Sequence, residues 1–166
     1  MNNAQQQLQA ALAALQQGRL DESSRLLDRV LRSVPRSVDA LHLKSMVRKQ
    51  SGDAAGAEAL MKKALGYDPR RADIRANLGN LYAALGRPEE AVAAYREALG
   101  TAPSFRPARI GLARVLLAIG DTDASIAEAR TLLDQDGGDA EAWNVLGSAH
   151  RSAGQSEDAE AAYRKA

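Results

Sequence analysis

Few side chains in this sequence have a type and spacing that could carry out chemistry. His42 and His150 are the only imidazoles, and cysteine is absent. Without Cys there are no disulfides, thiol nucleophiles or Cys-ligated zinc. A metal site or a His–carboxylate dyad needs groups that converge within a few ångströms. The two histidines lie in segments that the register described below keeps apart. Asp121, Asp123 and Glu128 suggest calcium, but the ligand ladder and central glycine of a calcium loop are missing, so they read as residues favoured in the first turn of a helix. Ser23–Ser24 has no recognisable activating base, and neither a phosphate-cradling glycine loop nor a G-x-S-x-G elbow occurs. Arg25, Arg29, Arg32 and Arg36 form a basic cluster with no aromatic residue interleaved to stack a base, which argues against nucleic-acid contact. The sequence assigns no catalytic residue, no metal and no cofactor, and reads as non-enzymatic.

The elements that would position any functional residue are short amphipathic helices. In the stretch 72–105 apolar residues recur at Leu78, Leu81, Tyr82 and Leu85, then at Val92, Tyr95 and Leu99, in the three- and four-residue steps of a helix. The two runs are separated by Leu85-Gly86-Arg87 and closed by Thr101-Ala102-Pro103-Ser104. Glycines at 18, 52, 86, 120 and 154 mark equivalent turns at intervals of 34 residues, without insertion or deletion. A tight helix–helix turn needs a backbone conformation that a Cβ penalises, and helix propensity alone would have favoured Ala there by roughly 0.8–1 kcal/mol each. Pro35, Pro69 and Pro103 end the helical path in the first three windows, and Gly137–Gly138 does so in the fourth. Asp21 is read as an N-cap region, and Pro88 as a first-turn residue of its helix. Ser23, Ala57, Ala91, Ser125 and Ala159 are small, so that paired helices can approach.

Bulk properties narrow the class further. The net charge of +1 gives no general pull toward nucleic acid or a membrane. Residues 1–71 hold 12 Lys/Arg against 7 Asp/Glu, and residues 72–166 hold 10 against 14. That gradient reads as solvated surface before it reads as a partner signal. The N-terminal segment has neither the basic region nor the continuous apolar run of a signal peptide, and nothing approaches the length of a membrane span. The resulting expectation is a cytoplasmic protein.

These residues and their spacing resemble the tetratricopeptide repeat. In frames starting at Ala4, Val38, Ala72, Arg106 and Ala140, the fourth place of the family's pattern, a large residue, is met by Leu41 and Trp143. Gln7, Arg75 and Arg109 depart from it. Leu78-Gly79 and Leu146-Gly147 match the seventh and eighth places, and Leu112-Ala113 matches them by half. Tyr82 holds the eleventh, while Leu27, Met61, Tyr95 and Tyr163 hold the large twenty-fourth. The resemblance implies an all-α, right-handed solenoid of antiparallel helix pairs over residues 4–166. Its repeats are 4–37, 38–71, 72–105, 106–139 and an incomplete fifth, 140–166. The last helix then lacks a covering helix, which raises the expectations of a longer protein or of self-association through that end.

The resemblance also implies a concave groove lined by the first helix of each pair. The binding candidates mapped there are Leu12, His42, Met46, Lys49, Asn80, Ile110, Arg114, Leu117, Asn144 and Arg151. Their mixture of apolar and polar character suits a peptide. The cationic clamp with which some members of the family hold a chaperone's terminal carboxylate does not map onto this sequence: Asp73 or Glu141 falls where a carboxylate would be repelled. The reading is a non-catalytic scaffold binding a protein or peptide partner. The alternatives are a substrate-recruiting arm of a bacterial sulfotransferase or glycosyltransferase, and a homotypic assembly module.

Overall fold

The computed structural model describes residues 3–166. The described residues form ten α-helices and no strand. They run α1 (Asn3–Gln16), α2 (Leu20–Ser33), α3 (Val38–Gln50), α4 (Ala54–Tyr67), α5 (Ala72–Ala84), α6 (Pro88–Thr101), α7 (Arg106–Ala118), α8 (Thr122–Gln135), α9 (Ala140–Ser152) and α10 (Ser156–Tyr163). The first helix of every later pair begins on the first residue of a 34-residue frame.

Each pair is a helical hairpin whose turn depends on one residue in the left-handed region. Gly18, Gly52, Gly86, Gly120 and Gly154 have φ between 69° and 85°, and no other described residue has positive φ. The hydrogen bonds repeat with them. Arg19 N donates to Ala14 O at 2.8 Å, and Asp121 N to Leu116 O at 2.9 Å, closing the first helix as a Schellman turn does. The second helices start less uniformly. Asp53 caps α4 through Gly56 N at 2.8 Å, and Asp121 caps α8 through Ala124 N at 3.3 Å. Asp121 is thus the cap itself, with Asp123 in the first turn after it. Asp21 is not a cap: α2 begins one residue before it, after Arg19, and Asp21 lies in the first turn, where a carboxylate still suits the helix dipole. Pro88 sits in the first turn of α6.

The helices divide into two compact units, one reaching to Ile74 and one running from Arg75 to Ala166. In the first, Ala11, Leu15, Leu27, Val30, Ala40 and Val47 form a buried cluster. In the second, Ala113, Ala129, Val145, Leu146 and Ala162 form one, and Ile110 with Leu132 and Ala142 another. Alanine dominates because it lets helices close on one another at little cost in side-chain entropy. The two small serines add a bond: Ser23 Oγ donates to Ala11 O, and Ser125 Oγ to Ala113 O, both buried and both at 2.8 Å. Each ties the second helix of a pair to the backbone of the first and satisfies a hydroxyl that burial would otherwise penalise.

Arg75 and Arg109 stand where the repeat pattern calls for a large apolar residue. Both are half-buried and reach carboxylates on the following helix: Arg75 Nε to Glu97 at 3.2 Å, and Arg109 Nη1 to Glu128 at 2.5 Å. Glu128 is therefore a partner within the hairpin and not a first-turn residue. The arginine stems take the place of the missing hydrophobe while their heads stay polar.

Two glycine substitutions separate the turns from the helix interiors. Gly120→Ala meets no neighbouring atom, so backbone strain at φ 85° is its only penalty; a loss of about 1–2 kcal/mol is expected as a lower urea midpoint. Gly66→Ala, in α4 with open space around it, is expected to gain up to about 1 kcal/mol from helix propensity.

Candidate functional site

In the second unit a residue assigned by sequence to packing builds the groove. Tyr95, on α6, is 1% exposed. A Cβ on Gly79 of α5 would stand 2.8 Å from its ring, and one on Gly111 of α7 would stand 2.4 Å from it. The ring thus lies between two helices that can approach only because both positions are glycine. The hydroxyl emerges at the far side and donates to Asn80 Oδ1 at 2.7 Å. Burial pushes the Tyr95 pKa up to about 12, opposed in part by the positive charge of Arg114, so the group remains a donor across the physiological range. With its oxygen held by Tyr95, the Asn80 carboxamide keeps its NH₂ for another acceptor.

Around this pair lies a cavity of about 370 Å³, within the size range of ~300–1,000 Å³ usual for ligand sites. Ala83, Pro107, Ile110 and Val115 supply its apolar lining; Arg106, Arg114 and Glu141 supply charge. Glu141 receives two guanidinium groups, Arg106 Nη2 at 2.8 Å and Arg114 Nη2 at 2.9 Å. Arg106 is also paired in bidentate fashion with Asp139, Nε to Oδ2 at 2.6 Å and Nη2 to Oδ1 at 2.7 Å. Asp139 Oδ1 in turn accepts from Glu141 N and Ala142 N at 3.1 Å, capping α9. The Arg106 guanidinium beside it holds the Asp139 carboxyl below the usual carboxylate range, and the cap amides add to the effect. One carboxylate therefore starts the helix that carries Glu141 and fixes the arginine that meets it.

Of the candidates read from sequence, Asn80, Ile110 and Arg114 line this one cavity. Ile110 is 5% exposed and contributes as much to the core as to the lining. Asn144 and Arg151 are exposed and Leu117 is half-buried, but none of the three lines the cavity. Asn144 turns its amide back to Ala140 O at 3.0 Å. Sequence reading assigned Tyr95 to packing alone and left out Arg106. The available signals were the glycines that flank Tyr95 in space and the offset of about one repeat between Arg106 and Asp139.

The first-unit candidates do not gather into an equivalent groove. Leu12 and Lys49 are exposed, and Met46 packs against the core cluster. His42 is half-buried, with Nδ1 3.7 Å from Asp73 Oδ2. Arg71 binds Asp73 through two bonds of 2.9 and 2.8 Å and reaches Asp39 at 2.6 Å. Burial lowers the His42 pKa despite the attraction of Asp73, and Arg71 lowers that of Asp73. His150 is buried in the second unit, with Nδ1 2.6 Å from Gln155 Oε1 across the turn. Among the described residues, no group of three or more His, Cys, Asp or Glu is arranged to hold a metal ion, and no helix is long and apolar enough to cross a membrane.

Helix hairpins of constant length, each turned on a glycine and presenting a groove from its first helices, define a helical repeat protein. The chain matches the tetratricopeptide repeat at residues 8–48, 49–94, 83–149 and 140–166, and it belongs to that family. No curated relative matches the sequence. Among solved structures, MamA is similar at 20% identity with a TM-score of 0.83, covering 98% of this chain and 88% of that one. PilF of Pseudomonas aeruginosa is similar at 21% identity and TM-score 0.88, covering 98% and 74%. YrrB, described as a TPR protein with an unusual peptide-binding site, is similar at 19% identity and TM-score 0.77, covering 96% and 82%. At these identities the likeness is one of fold.

Two consequences follow for stability. Asp139→Ala removes a cap and a partner of Arg106, and a loss of about 1–3 kcal/mol is expected in urea unfolding; Asp139→Asn should recover the capping part, up to about 2 kcal/mol. His42 is easier to protonate unfolded than folded, so its contribution is present above the unfolded pKa of 6.5 and lost as pH falls through the lower folded value. Thermal melting between pH 7 and pH 5 should show that loss, and His42→Gln should flatten it. The Asp73 contribution fades only below its ordinary value of 3.8.

Proposed function

We propose that this protein is a non-catalytic interaction scaffold, and that the groove at Asn80, Tyr95 and Arg114 binds an extended peptide of a partner protein. The observation that carries this reading is the Tyr95–Asn80 hydrogen bond. It holds a carboxamide at the edge of a mostly apolar cavity with its donors turned to an incoming acceptor. A peptide backbone offers a carbonyl to that amide wherever its side chains allow, so Asn80 contributes affinity with little sequence preference. Pro107 and Ile110 give an apolar side chain a surface to cover. Arg114, more than half exposed and bound to Glu141 through one nitrogen, keeps other N–H groups for a carbonyl or carboxylate. The description of the similar YrrB as having a peptide-binding site supports the same use of the fold.

Peptides selected from a random display library against the immobilised protein test the reading. Those that bind should lose about 5- to 30-fold in affinity with Asn80→Ala or Arg114→Ala, as measured by fluorescence polarisation and as expected for one lost hydrogen bond each, or about 1–2 kcal/mol. Tyr95→Phe, which frees the Asn80 amide to rotate, should lose less. Peptides that bind all three variants as they bind the parent would place the site elsewhere.

A further inference from the structure

The first unit carries a second surface, on its second helices. Arg25, Arg29, Arg32 and Arg36 follow one another along α2 at steps of four, three and four residues, so they share one face of the helix. All four are exposed. Arg25, Arg29 and Arg32 make no ion pair among the described residues, and Arg36 rests near the Tyr67 ring, 5.7 Å from its centroid. Elsewhere arginines are commonly neutralised: Arg71 by two aspartates, Arg106 by Asp139 and Glu141, Arg109 by Glu128.

Beside this stripe, α2, α3 and α4 enclose a groove of about 350 Å³. Its floor is apolar, formed by Leu31, Pro35, Leu41 and Leu60. Arg32 stands on one rim and Lys63 on the α4 rim, and Lys63 also makes no ion pair among the described residues. The one carboxylate in the lining, Asp28, is taken by Lys44. What remains is an aliphatic trough with uncompensated cations along it.

The geometry points to this groove as a docking site for an acidic amphipathic segment of a partner protein. Such a segment would place a leucine-sized side chain on Leu31 and Leu60 and its carboxylates against Arg32, Lys63 and the α2 ladder. Charge complementarity selects the sign of the partner, and the aliphatic floor selects its kind. A phosphodiester chain has no apolar group for the floor, and the lining offers no aromatic face to a base. Guanidinium pairs with carboxylate through two parallel bonds, which sets register as well as affinity. Peptides laid in the groove of the second unit would leave this surface uncovered, so the inference does not rest on that reading.

The probe is a fluorescein-labelled synthetic helix of 16 residues with leucines on one face and glutamates flanking them, titrated into the full chain. Saturable binding is expected, weakened by added salt and lowered at least tenfold both by Arg32→Glu/Lys63→Glu and by replacing the peptide leucines with alanine. Asn80→Ala should leave it unchanged. Circular dichroism confirms that the double variant, altered only at exposed positions, stays folded. Absence of binding, or binding indifferent to the double variant or to loss of the leucines, would overturn the proposal. So would stronger binding of duplex DNA or of phosphatidylserine vesicles through the same residues, or light scattering that shows the peptide displacing a second copy of the chain.

Discussion

The structure rests on a backbone constraint that recurs at five glycines. A helix of 13 or 14 residues ends, the chain passes through one residue with φ near +75°, and a second helix sets off antiparallel to the first. Only glycine adopts that conformation without a steric penalty. Because the same turn is placed at the same interval, every hairpin offers its neighbours the same faces. Neither helix of a hairpin could bury its apolar stripe alone; stacking lets each stripe cover another. Within each unit the alanine-rich clusters are the result.

Close approach then decides what reaches the groove. In the third hairpin Tyr95 fits between Gly79 and Gly111, and the ring is long enough to carry its hydroxyl through the packed layer to Asn80. The fifth hairpin repeats the arrangement with Tyr163 against Gly147 and its hydroxyl 3.0 Å from Ser148 Oγ. There the ring is 37% exposed and the polar partner is shorter. The same ring thus serves as packing along its length and as chemistry at its tip. Its buried part makes the tip rigid, and rigidity lowers the entropy lost when a ligand is held.

Charge is distributed by a different logic from packing. The buried or half-buried charges are paired: Asp139 with Arg106, Arg109 with Glu128, Arg71 with two aspartates. Leaving such groups alone in a low-dielectric setting would be costly. The exposed arginines of α2 escape that requirement, since water solvates them. Their lack of carboxylate partners therefore adds little strain to the folded chain and leaves the charge available to a ligand.

Periodicity, the five glycines and the closing prolines were enough to read the helices, their pairing and the family, because each acts within a few residues of the chain. The fourth-place departures at Arg75 and Arg109 were legible as exceptions, but their carboxylates, Glu97 and Glu128, were not. Asp21 was misread as a cap for a local reason: the helix starts one residue earlier, and capping and first-turn preferences favour the same residue type. At the groove, family placement pointed to Asn80, Ile110 and Arg114, while it spread Leu12, Lys49 and Asn144 over surfaces with no shared cavity. The helix and its turn are written in neighbouring residues, whose backbone torsions follow local sterics and hydrogen bonding. The convergence of Tyr95 on Asn80, and of Arg106 and Arg114 on Glu141, joins groups 15 to 35 residues apart, so it exists only once packed helices have set the distance and angle between side chains that no local rule relates.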